Sequence, residues 1–209
     1  MSNIEWNKIR TGRDQAVSNL KPILKLPLIA SSMDLIHKVV REGDKLLDVG
    51  ANNRNLEKDL QTSGKQVEYY SYDIDRSLPH DYYDLSEITL QFDVVTILEV
   101  IEHIPPGDVA RLFQRVAELL KPDGTIIVST PNVCHPVRFW RDCTHITPFR
   151  YDELAGLLHS TGFTGIEVFR LKKMRIKDWL RYWFSLPTLR LLDIDFAPGI
   201  VVRAKFPGK

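Results

Sequence analysis

The sequence predicts an α/β fold built on a doubly wound, mostly parallel sheet. Two observations support this prediction. Short apolar runs alternate along the chain with segments of helical periodicity, and the clearest runs lack the polar alternation of a sheet with one wet face. Strands that alternate with helices pair in parallel through right-handed crossovers. The length of 209 residues suits a single domain, which we place at residues 1–209.

The first part of the chain supplies two strands and the helices around them. We expect residues 1–43 to form an N-terminal helical region, because Asp34–Arg41 carries apolar residues at helical spacing. KLLDVG then predicts a short buried strand, and Asn55–Gln61 begins a helix. VEYYSYDID is rich in β-forming residues and predicts a second strand that ends at acidic side chains.

The middle of the chain contains the clearest strand. Asp93–Leu98 shows no polar alternation apart from Thr96, as expected for a central parallel strand. An amphipathic helix follows, with apolar residues at Val109, Leu112, Phe113, Val116, Leu119 and Leu120. The turn sequence KPDG ends this helix, and TIIVSTPN predicts another buried strand.

The last part of the chain adds a helix and two strands. DELAGLLHSTGF is expected to be helical, with Gly162 after its end. GIEVFRL and GIVVRAKF predict the two strands. Because no ordinary crossover helix separates them, we expect them to form an antiparallel pair.

Composition and charge argue against several classes of partner. Lys and Arg number 28 and Asp and Glu 27, so the net charge of +1 predicts no general attraction to nucleic acid or membranes. Two cysteines, Cys134 and Cys143, are too few for a disulfide framework. No apolar run is long enough for a secretion signal or a transmembrane helix, so we expect a cytoplasmic protein.

The strand KLLDVG ends in a turn of the kind that binds nucleotides. Asp48 and Gly50 close the strand, and Gly50 permits close approach of the backbone to a ligand. Asn52 can adopt a left-handed conformation and so replace a glycine. Asp73 ends the second strand, where a carboxylate can accept hydrogen bonds from both ribose hydroxyls. Since the GxGxxG of dinucleotide oxidoreductases is absent, we set hydride transfer aside.

Five motifs, in this order, resemble those of class I S-adenosylmethionine-dependent methyltransferases. They are LLDVGAN, YDID, DLSEI, FDVVTILEVIEHI and LKPDGTIIVSTPN, and the match extends over about residues 30–170 and the last strand. The resemblance implies a Rossmann-like, seven-stranded sheet with a terminal antiparallel strand, and S-adenosylmethionine as the cofactor. The family usually has glycine at position 52 and often at 54, where this chain has Asn52 and Arg54.

The resemblance also assigns residues to parts of the cofactor. The turn after the first strand faces the methionine end, and Asp73 holds the ribose. Asp84 and Leu85 resemble the adenine-binding pair, with Asp81 as the alternative carboxylate. The complete set expected to bind cofactor is Asp48, Gly50, Asn52, Asp73, Ile74, Asp84, Leu85 and Glu99.

Candidate catalytic groups follow the strand Asp93–Leu98. Glu99, Glu102 and His103 lie at positions i, i+3 and i+4, which share one face of a turn or helix. His145 follows the next strand, and we expect it at the same edge of the sheet. Three roles stay open: Glu102 and His103 only fix the loop, His103 or His145 acts as a general base, or all four residues bind Mg or Mn.

Resemblances at these positions suggest the acceptor. EVIEH resembles metal-dependent small-RNA 2′-O-methyltransferases and also quinone-biosynthesis O-methyltransferases, and RDCTHITPF is similar to a stretch in methyltransferases of sugars and surface polysaccharides. The leading hypothesis is methyl transfer to a hydroxyl of a small molecule or glycan. The alternatives are RNA 2′-O-methylation, which near-neutral charge argues against, and a non-catalytic partner protein that only binds the cofactor.

A basic and aromatic insertion at residues 171–196 separates the last two strands. Its charged and aromatic members include Lys172, Lys173, Arg175, Lys177, Arg181, Arg190, Trp179, Tyr182, Trp183 and Phe184. Such a segment can pack on the domain, lie on a membrane surface, contact phosphates or close over an acceptor. We favour a lid, because insertions between the last two strands lie near the acceptor side.

Overall fold

The computed structural model describes residues 20–208, together with the separate positions 11 and 14. Seven strands form one sheet: β1 Leu28–Ile29, β2 Lys45–Val49, β3 Glu68–Tyr72, β4 Phe92–Leu98, β5 Leu120–Pro131, β6 Thr164–Leu171 and β7 Gly199–Lys205. Their order across the sheet is β1-β6-β7-β5-β4-β2-β3. The strand pairs are parallel except for the two that β7 forms with β5 and β6. The predicted fold class is therefore confirmed, including the late antiparallel pair.

Within residues 20–208, the strands are connected by the α-helices α1 Ser32–Val39, α2 Asn55–Thr62, α3 Pro106–Leu119, α4 Tyr151–Ser160 and α5 Ile176–Leu191. Sequence-encoded caps fix where some of them begin. The Ser31 hydroxyl accepts from the Asp34 amide and the Asp34 carboxylate accepts from the Ser31 amide, both at 3.2 Å, which caps α1. Pro106 stands in the first turn of α3, where no intrahelical donor is lost.

Both faces of the sheet are covered, which makes the fold doubly wound. Leu46 points to the layer that contains α1 and α2, whereas its neighbour Leu47 points to the layer that contains α3 and α4. Along β5, Ile127 and Ile126 divide between the two layers in the same way, and all four side chains are 0% exposed. Successive residues of a strand face opposite sides, so each run must be apolar throughout.

The N-terminal region differs from its prediction. Most of residues 1–19 lie outside the described part of the chain, so the expected helix there is untested. Within the described part, α1 is present, and it is preceded by the two-residue strand β1. Flanking bonds extend the pairing, since the Arg170 amide donates to Pro27 and the Lys172 amide donates to Ile29, at 2.8 and 2.9 Å. β1 thus covers an edge of β6 that would otherwise be open.

The insertion at residues 171–196 contains α5, and a buried ion pair anchors its return to the sheet. Arg170, 4% exposed, donates to the Asp195 carboxylate at 3.0 Å, and Asp195 is 0% exposed. Asn132 at the end of β5 donates to the other oxygen of Asp195 at 2.9 Å. Among the residues that the structure describes, no helix is both long and apolar enough to span a bilayer.

Candidate active site

A cleft of about 590 Å³ opens at the carboxyl ends of β2, β3 and β4. This is the sheet edge at which ligands bind in doubly wound folds. Predicted cofactor residues on its wall are Gly50, Asn52, Asp73, Ile74, Leu85 and Glu99, and His103 joins them. The volume suits a nucleotide-sized ligand.

The turn after β2 adopts the left-handed backbone that its glycine-poor sequence left in question. Gly50 has φ +75°, Asn52 φ +44° and Arg54 φ +55°. A Cβ atom on Gly50 would lie 2.4 Å from Cγ2 of Val100, so the glycine is required by packing as well as by conformation. The left-handed backbone at Arg54 is unfavourable for a residue with a Cβ atom. Its guanidinium donates to Glu57 at 2.8 Å and does not line the cleft.

Asp48 lies beneath this turn rather than on the wall of the cleft. It is 4% exposed, and its carboxylate accepts from the Tyr69 hydroxyl and the Thr96 hydroxyl, each at 2.8 Å. Burial raises the pKa of Asp48, while these two hydrogen bonds act in the opposite direction. The prediction that Asp48 contacts the cofactor therefore gives way to a supporting role, because both of its oxygens are bonded to neighbouring strands.

Asp73 and Ile74 stand at the end of β3 on the cleft wall. One oxygen of Asp73 accepts from the Asn52 amide at 2.8 Å, and the other accepts from the Asp75 amide at 3.0 Å. Asp73 thus joins the two turns that border the cleft. Ile74 is 79% exposed, so an apolar surface is open beside the carboxylate.

Of the predicted adenine pair, Leu85 lines the cleft and Asp84 lies outside its lining. Asp84 is exposed and accepts from the Ser86 amide at 2.8 Å, which caps the short 3₁₀ turn Leu85–Glu87 and lowers the pKa of Asp84. Asp81, the alternative carboxylate, accepts from the amide and the hydroxyl of Ser71 at 2.8 and 2.7 Å. Neither carboxylate forms part of the cleft wall.

Glu99 follows β4 in a left-handed conformation, with φ +56°, and faces the cleft. Its carboxylate accepts from the Ser129 hydroxyl at 2.8 Å, and its amide donates to the Ser129 carbonyl at 3.0 Å. Loss of hydration raises the pKa of Glu99, and the Ser129 hydroxyl, Arg138 and the two nearby histidines oppose this change. Glu99 is therefore a carboxylate held rigidly at the junction of β4 and β5.

Glu102 is a buried acid with one unused oxygen. Its side chain is 1% exposed, and Oε2 accepts from the Thr130 hydroxyl at 3.1 Å. Oε1 accepts no hydrogen bond from any residue that the structure describes. Burial, with a smaller contribution from the charge of Glu99, raises the pKa of Glu102 to about 7. A buried carboxyl of this kind is typical of functional sites.

The same residue holds the loop that carries the second histidine. The backbone carbonyl of Glu102 accepts from the Ile146 amide at 2.8 Å and from the Thr147 amide at 3.0 Å. These bonds bring His145 to the turn Ile101–His103, and the imidazole rings of His103 and His145 have centroids 4.8 Å apart. The expected meeting of the two histidines is confirmed.

Hydrogen bonds fix the tautomers of both histidines. Nδ1 of His145 lies 2.7 Å from the Phe139 carbonyl, which can only accept, so Nδ1 carries the proton. Nδ1 of His103 lies 3.0 Å from the Thr144 hydroxyl, and that hydroxyl donates its proton to Asp142 at 2.6 Å. Because its only proton goes to Asp142, this hydroxyl can only accept from His103, so Nδ1 of His103 also carries a proton. In the neutral state each ring keeps a lone pair on Nε2.

Glu102, His103 and His145 form one group whose ligand atoms lie within 4.8 Å of one another. Atoms that bind one ion at about 2.2 Å lie at most about 4.4 Å apart, so a movement of a few tenths of an ångström would let them share a metal. Glu99 lies outside this group. The four-residue set expected from the sequence is thus reduced to three residues, with Glu99 bonded to Ser129 instead.

Helix α3 contributes residues to the cleft that sequence reasoning missed. Asp108, Arg111, Leu112 and Arg115 line the cleft, and Arg115 also donates to the carbonyls of Leu85 and Ile88 at 3.1 and 2.8 Å. Arg111 and Arg115 are four residues apart and so share one face of the helix. That spacing, directly after the EVIEH motif, was the signal available in the sequence.

The fold and the site together define a doubly wound α/β protein with a nucleotide-sized cleft at the carboxyl edge of its sheet. The family model described as a methyltransferase domain matches residues 26–168. The chain therefore belongs to the class I S-adenosylmethionine-dependent methyltransferases.

Individual relatives agree with this family. The ubiquinone biosynthesis O-methyltransferase of Stutzerimonas stutzeri is 29% identical over 133 residues, which cover 55% of this chain and 56% of that protein. The chain thus spans little more than half the length of this relative. A S-adenosylmethionine-dependent methyltransferase from Archaeoglobus fulgidus has a similar structure, with a TM-score of 0.69, 16% identity and coverage of 83% of this chain and 90% of that one. Haemonchus contortus phosphoethanolamine N-methyltransferase 2, in complex with S-adenosylmethionine, gives a TM-score of 0.58 at 16% identity, covering 85% and 52%.

Proposed function

We propose that the chain transfers a methyl group from S-adenosylmethionine to a hydroxyl oxygen of a small molecule or glycan. The observation that carries this proposal is the group of Glu102, His103 and His145, because a neutral hydroxyl needs help to lose its proton and a sulfonium methyl group needs little activation. His103 lies on the cleft wall, which would put this group beside a bound cofactor.

The cofactor is proposed to lie along the cleft with its ribose at Asp73. Leu85 and Ile74 offer apolar surface for the adenine, and the turn at Gly50 faces the methionine end. Glu99 would meet the cofactor's positively charged end, for which a fixed carboxylate is suited. In this arrangement the reacting methyl group faces the histidines.

The acidic and imidazole groups fit a divalent cation. Glu102 offers a buried oxygen that accepts from none of the described residues. The Nδ1 bonds of His103 and His145 leave the Nε2 lone pair of each neutral ring available to a metal. Two nitrogens and one oxygen favour Mn²⁺ over Mg²⁺, which prefers an all-oxygen shell. A divalent cation held by these residues would lower the pKa of an acceptor hydroxyl bound to it.

The name of the curated relative supports oxygen as the acceptor. The relative from Stutzerimonas stutzeri is named an O-methyltransferase, and the match covers 56% of its length. The net charge of +1 favours a small acceptor over RNA, the alternative predicted from the sequence. Both cysteines are free, Cys134 buried and Cys143 exposed, which agrees with the proposed reducing, cytoplasmic location.

The test measures methyl transfer from labelled S-adenosylmethionine to three kinds of acceptor: catechols, free sugars and RNA with unmodified 2′-hydroxyls. We expect turnover with one of the first two. Activity should vanish after chelation and return with Mn²⁺ more fully than with Mg²⁺. Turnover that resists the chelator would instead assign the proton to a side chain of this group acting as a general base without metal.

Calorimetry supplies the control. His145→Gln should lose Mn²⁺ binding and turnover while S-adenosylmethionine still binds. His37→Gln serves as the matched variant, because His37 bonds to Asp59 on the opposite face of the sheet and should change neither. Cofactor binding without turnover on any acceptor would favour the non-catalytic partner protein.

A further inference from the structure

Helix α5 presents apolar side chains on two opposite faces. One face packs on the domain through Tyr182, whose ring lies 4.7 Å from that of Phe196, and through Leu189, which is 8% exposed. The other face is open to solvent. Its large apolar residues are Ile176 (85% exposed), Leu180 (59%), Trp183 (65%), Phe184 (86%) and Leu191 (84%).

These exposed residues form a continuous stripe, which we call the outer stripe. Their spacing of four, three, one and seven residues keeps them on one side of a helix, and Pro187 falls on the same line. A helix of 16 residues is about 24 Å long, so the stripe runs its whole length. A monomeric globular protein rarely exposes so large an apolar surface without a partner.

Basic residues border the outer stripe. By helical position, Lys177 and Arg181 lie on one side of it and Arg190 on the other, and all three are exposed. Residues 172–193 contain six of the 28 cationic residues and two of the 27 acidic ones, so this segment carries +4 while the rest of the chain carries −3. The near-neutral total thus conceals a strongly basic, apolar surface.

The position of α5 relates this surface to the cleft. β6 leads into the insertion at Leu171 and β7 returns from it at Gly199, which pairs with Leu171 on one side and with Pro131 on the other. These residues lie at the carboxyl end of β5, the same sheet edge that carries the loop with His145. A surface docked through α5 would therefore face the active-site edge.

We propose that α5 is an interfacial anchor that lies on an anionic lipid bilayer. The outer stripe enters the boundary between headgroups and acyl chains, and Lys177, Arg181 and Arg190 reach the lipid phosphates. Apolar residues on one face with Lys and Arg along its border are the composition of helices that lie in the plane of a membrane. Tryptophan such as Trp183 prefers this interface.

Charge and geometry favour a bilayer over other occupants. A second copy of the chain would bring one +4 segment against another, which is repulsive. A lid over the cofactor cleft would turn the stripe towards it, whereas none of the described residues of the outer stripe lines that cleft. An anionic bilayer offers both an apolar layer and the opposite charge.

The test measures cosedimentation of the full chain with vesicles of phosphatidylcholine, alone or mixed with phosphatidylglycerol in equal parts. We expect binding to the anionic vesicles, little binding to the neutral ones, and loss of binding at high salt. Lys177→Gln with Arg181→Gln should weaken the partition about 30-fold. Trp183→Ser with Phe184→Ser should weaken it at least about tenfold, with the melting temperature unchanged, because both side chains are exposed.

A matched pair of substitutions serves as the control. Lys38 and Arg41 are exposed and belong to the α1 region, so Lys38→Gln with Arg41→Gln removes the same charge elsewhere and should leave vesicle binding intact. The proposal is overturned if neutral vesicles bind as well as anionic ones, if no vesicles bind, or if the control pair loses as much as the α5 pair. A dimer in vesicle-free solution that Trp183→Ser dissociates would also overturn it, since a second copy would then cover the stripe.

Discussion

Replacing Glu102 by glutamine is expected to stabilise the fold at alkaline pH while it abolishes methyl transfer. The carboxyl is 1% exposed, and burial raises its pKa from the ordinary 4.5 to about 7. In the unfolded chain the same group ionises near 4.5. The native state therefore holds a proton that the unfolded state releases between these two values, and native stability falls as the pH rises through this window.

The magnitude follows from the interval between the two pKa values. At about 1.4 kcal/mol per pH unit, the free energy of unfolding of the wild-type chain should fall by about 3 kcal/mol between pH 4.5 and pH 7. Glutamine does not ionise, and its amide oxygen can keep the bond from the Thr130 hydroxyl. Glu102→Gln should thus be about 3 kcal/mol more stable than wild type near pH 8, and less than about 1 kcal/mol more stable near pH 5.

Urea unfolding of both chains at the two pH values measures this difference, with metal removed so that no ion holds the carboxylate. Glu42→Gln is the control, because Glu42 is exposed and its replacement should give no gain that depends on pH. Equal stability of Glu102→Gln and wild type at both pH values would refute the reasoning, since it would mean that Glu102 ionises freely in the folded protein.

Two further predictions concern the cofactor cleft. Asp73→Ala should weaken S-adenosylmethionine binding by about 1.5–3 kcal/mol, or roughly 10- to 150-fold by calorimetry, whereas Asp75→Ala, outside the cleft lining, should leave it unchanged. If the two variants bind S-adenosylmethionine with equal affinity, Asp73 does not bind the ribose. Gly50→Ala should destabilise the fold by about 2 kcal/mol or more in thermal melts, because the new methyl group meets Val100. Gly64 has a similar φ and no neighbour within 4 Å of a built Cβ atom, so Gly64→Ala should cost only the backbone penalty of about 1–2 kcal/mol. Similar losses for the two glycines would show that Val100 yields freely.

Sequence patterns predicted the central elements because burial dictates their composition. A parallel strand covered on both faces must be apolar throughout, so Asp93–Leu98 was recognisable as β4. The helix that became α3 was equally clear from its spacing, with Val109, Phe113 and Val116 buried at 0% exposure. β1 was missed, since two residues carry no periodicity and their pairing with β6 depends on a distant part of the chain.

The site was predicted less completely, because side-chain direction depends on contacts between distant residues. Glu102 and His145 were both named, yet their approach depends on amides of Ile146 and Thr147 that donate to the Glu102 carbonyl. Asp48 was expected at the ligand, but a tyrosine on β3, Tyr69, binds it beneath the turn. No local pattern reports either arrangement, since each joins residues that are more than twenty positions apart.

The central place of β7 has a consequence for how the chain assembles. β7 follows all the other described strands in sequence, yet it lies between β5 and β6 and provides the only sheet bonds that connect these two strands within the described residues. During synthesis, β6 with its partner β1 cannot join the sheet until residues 199–205 have left the ribosome. Until then β5 has an open, apolar edge that can pair with other chains. We therefore expect folding to be completed late, with the nascent chain dependent on chaperones before β7 emerges.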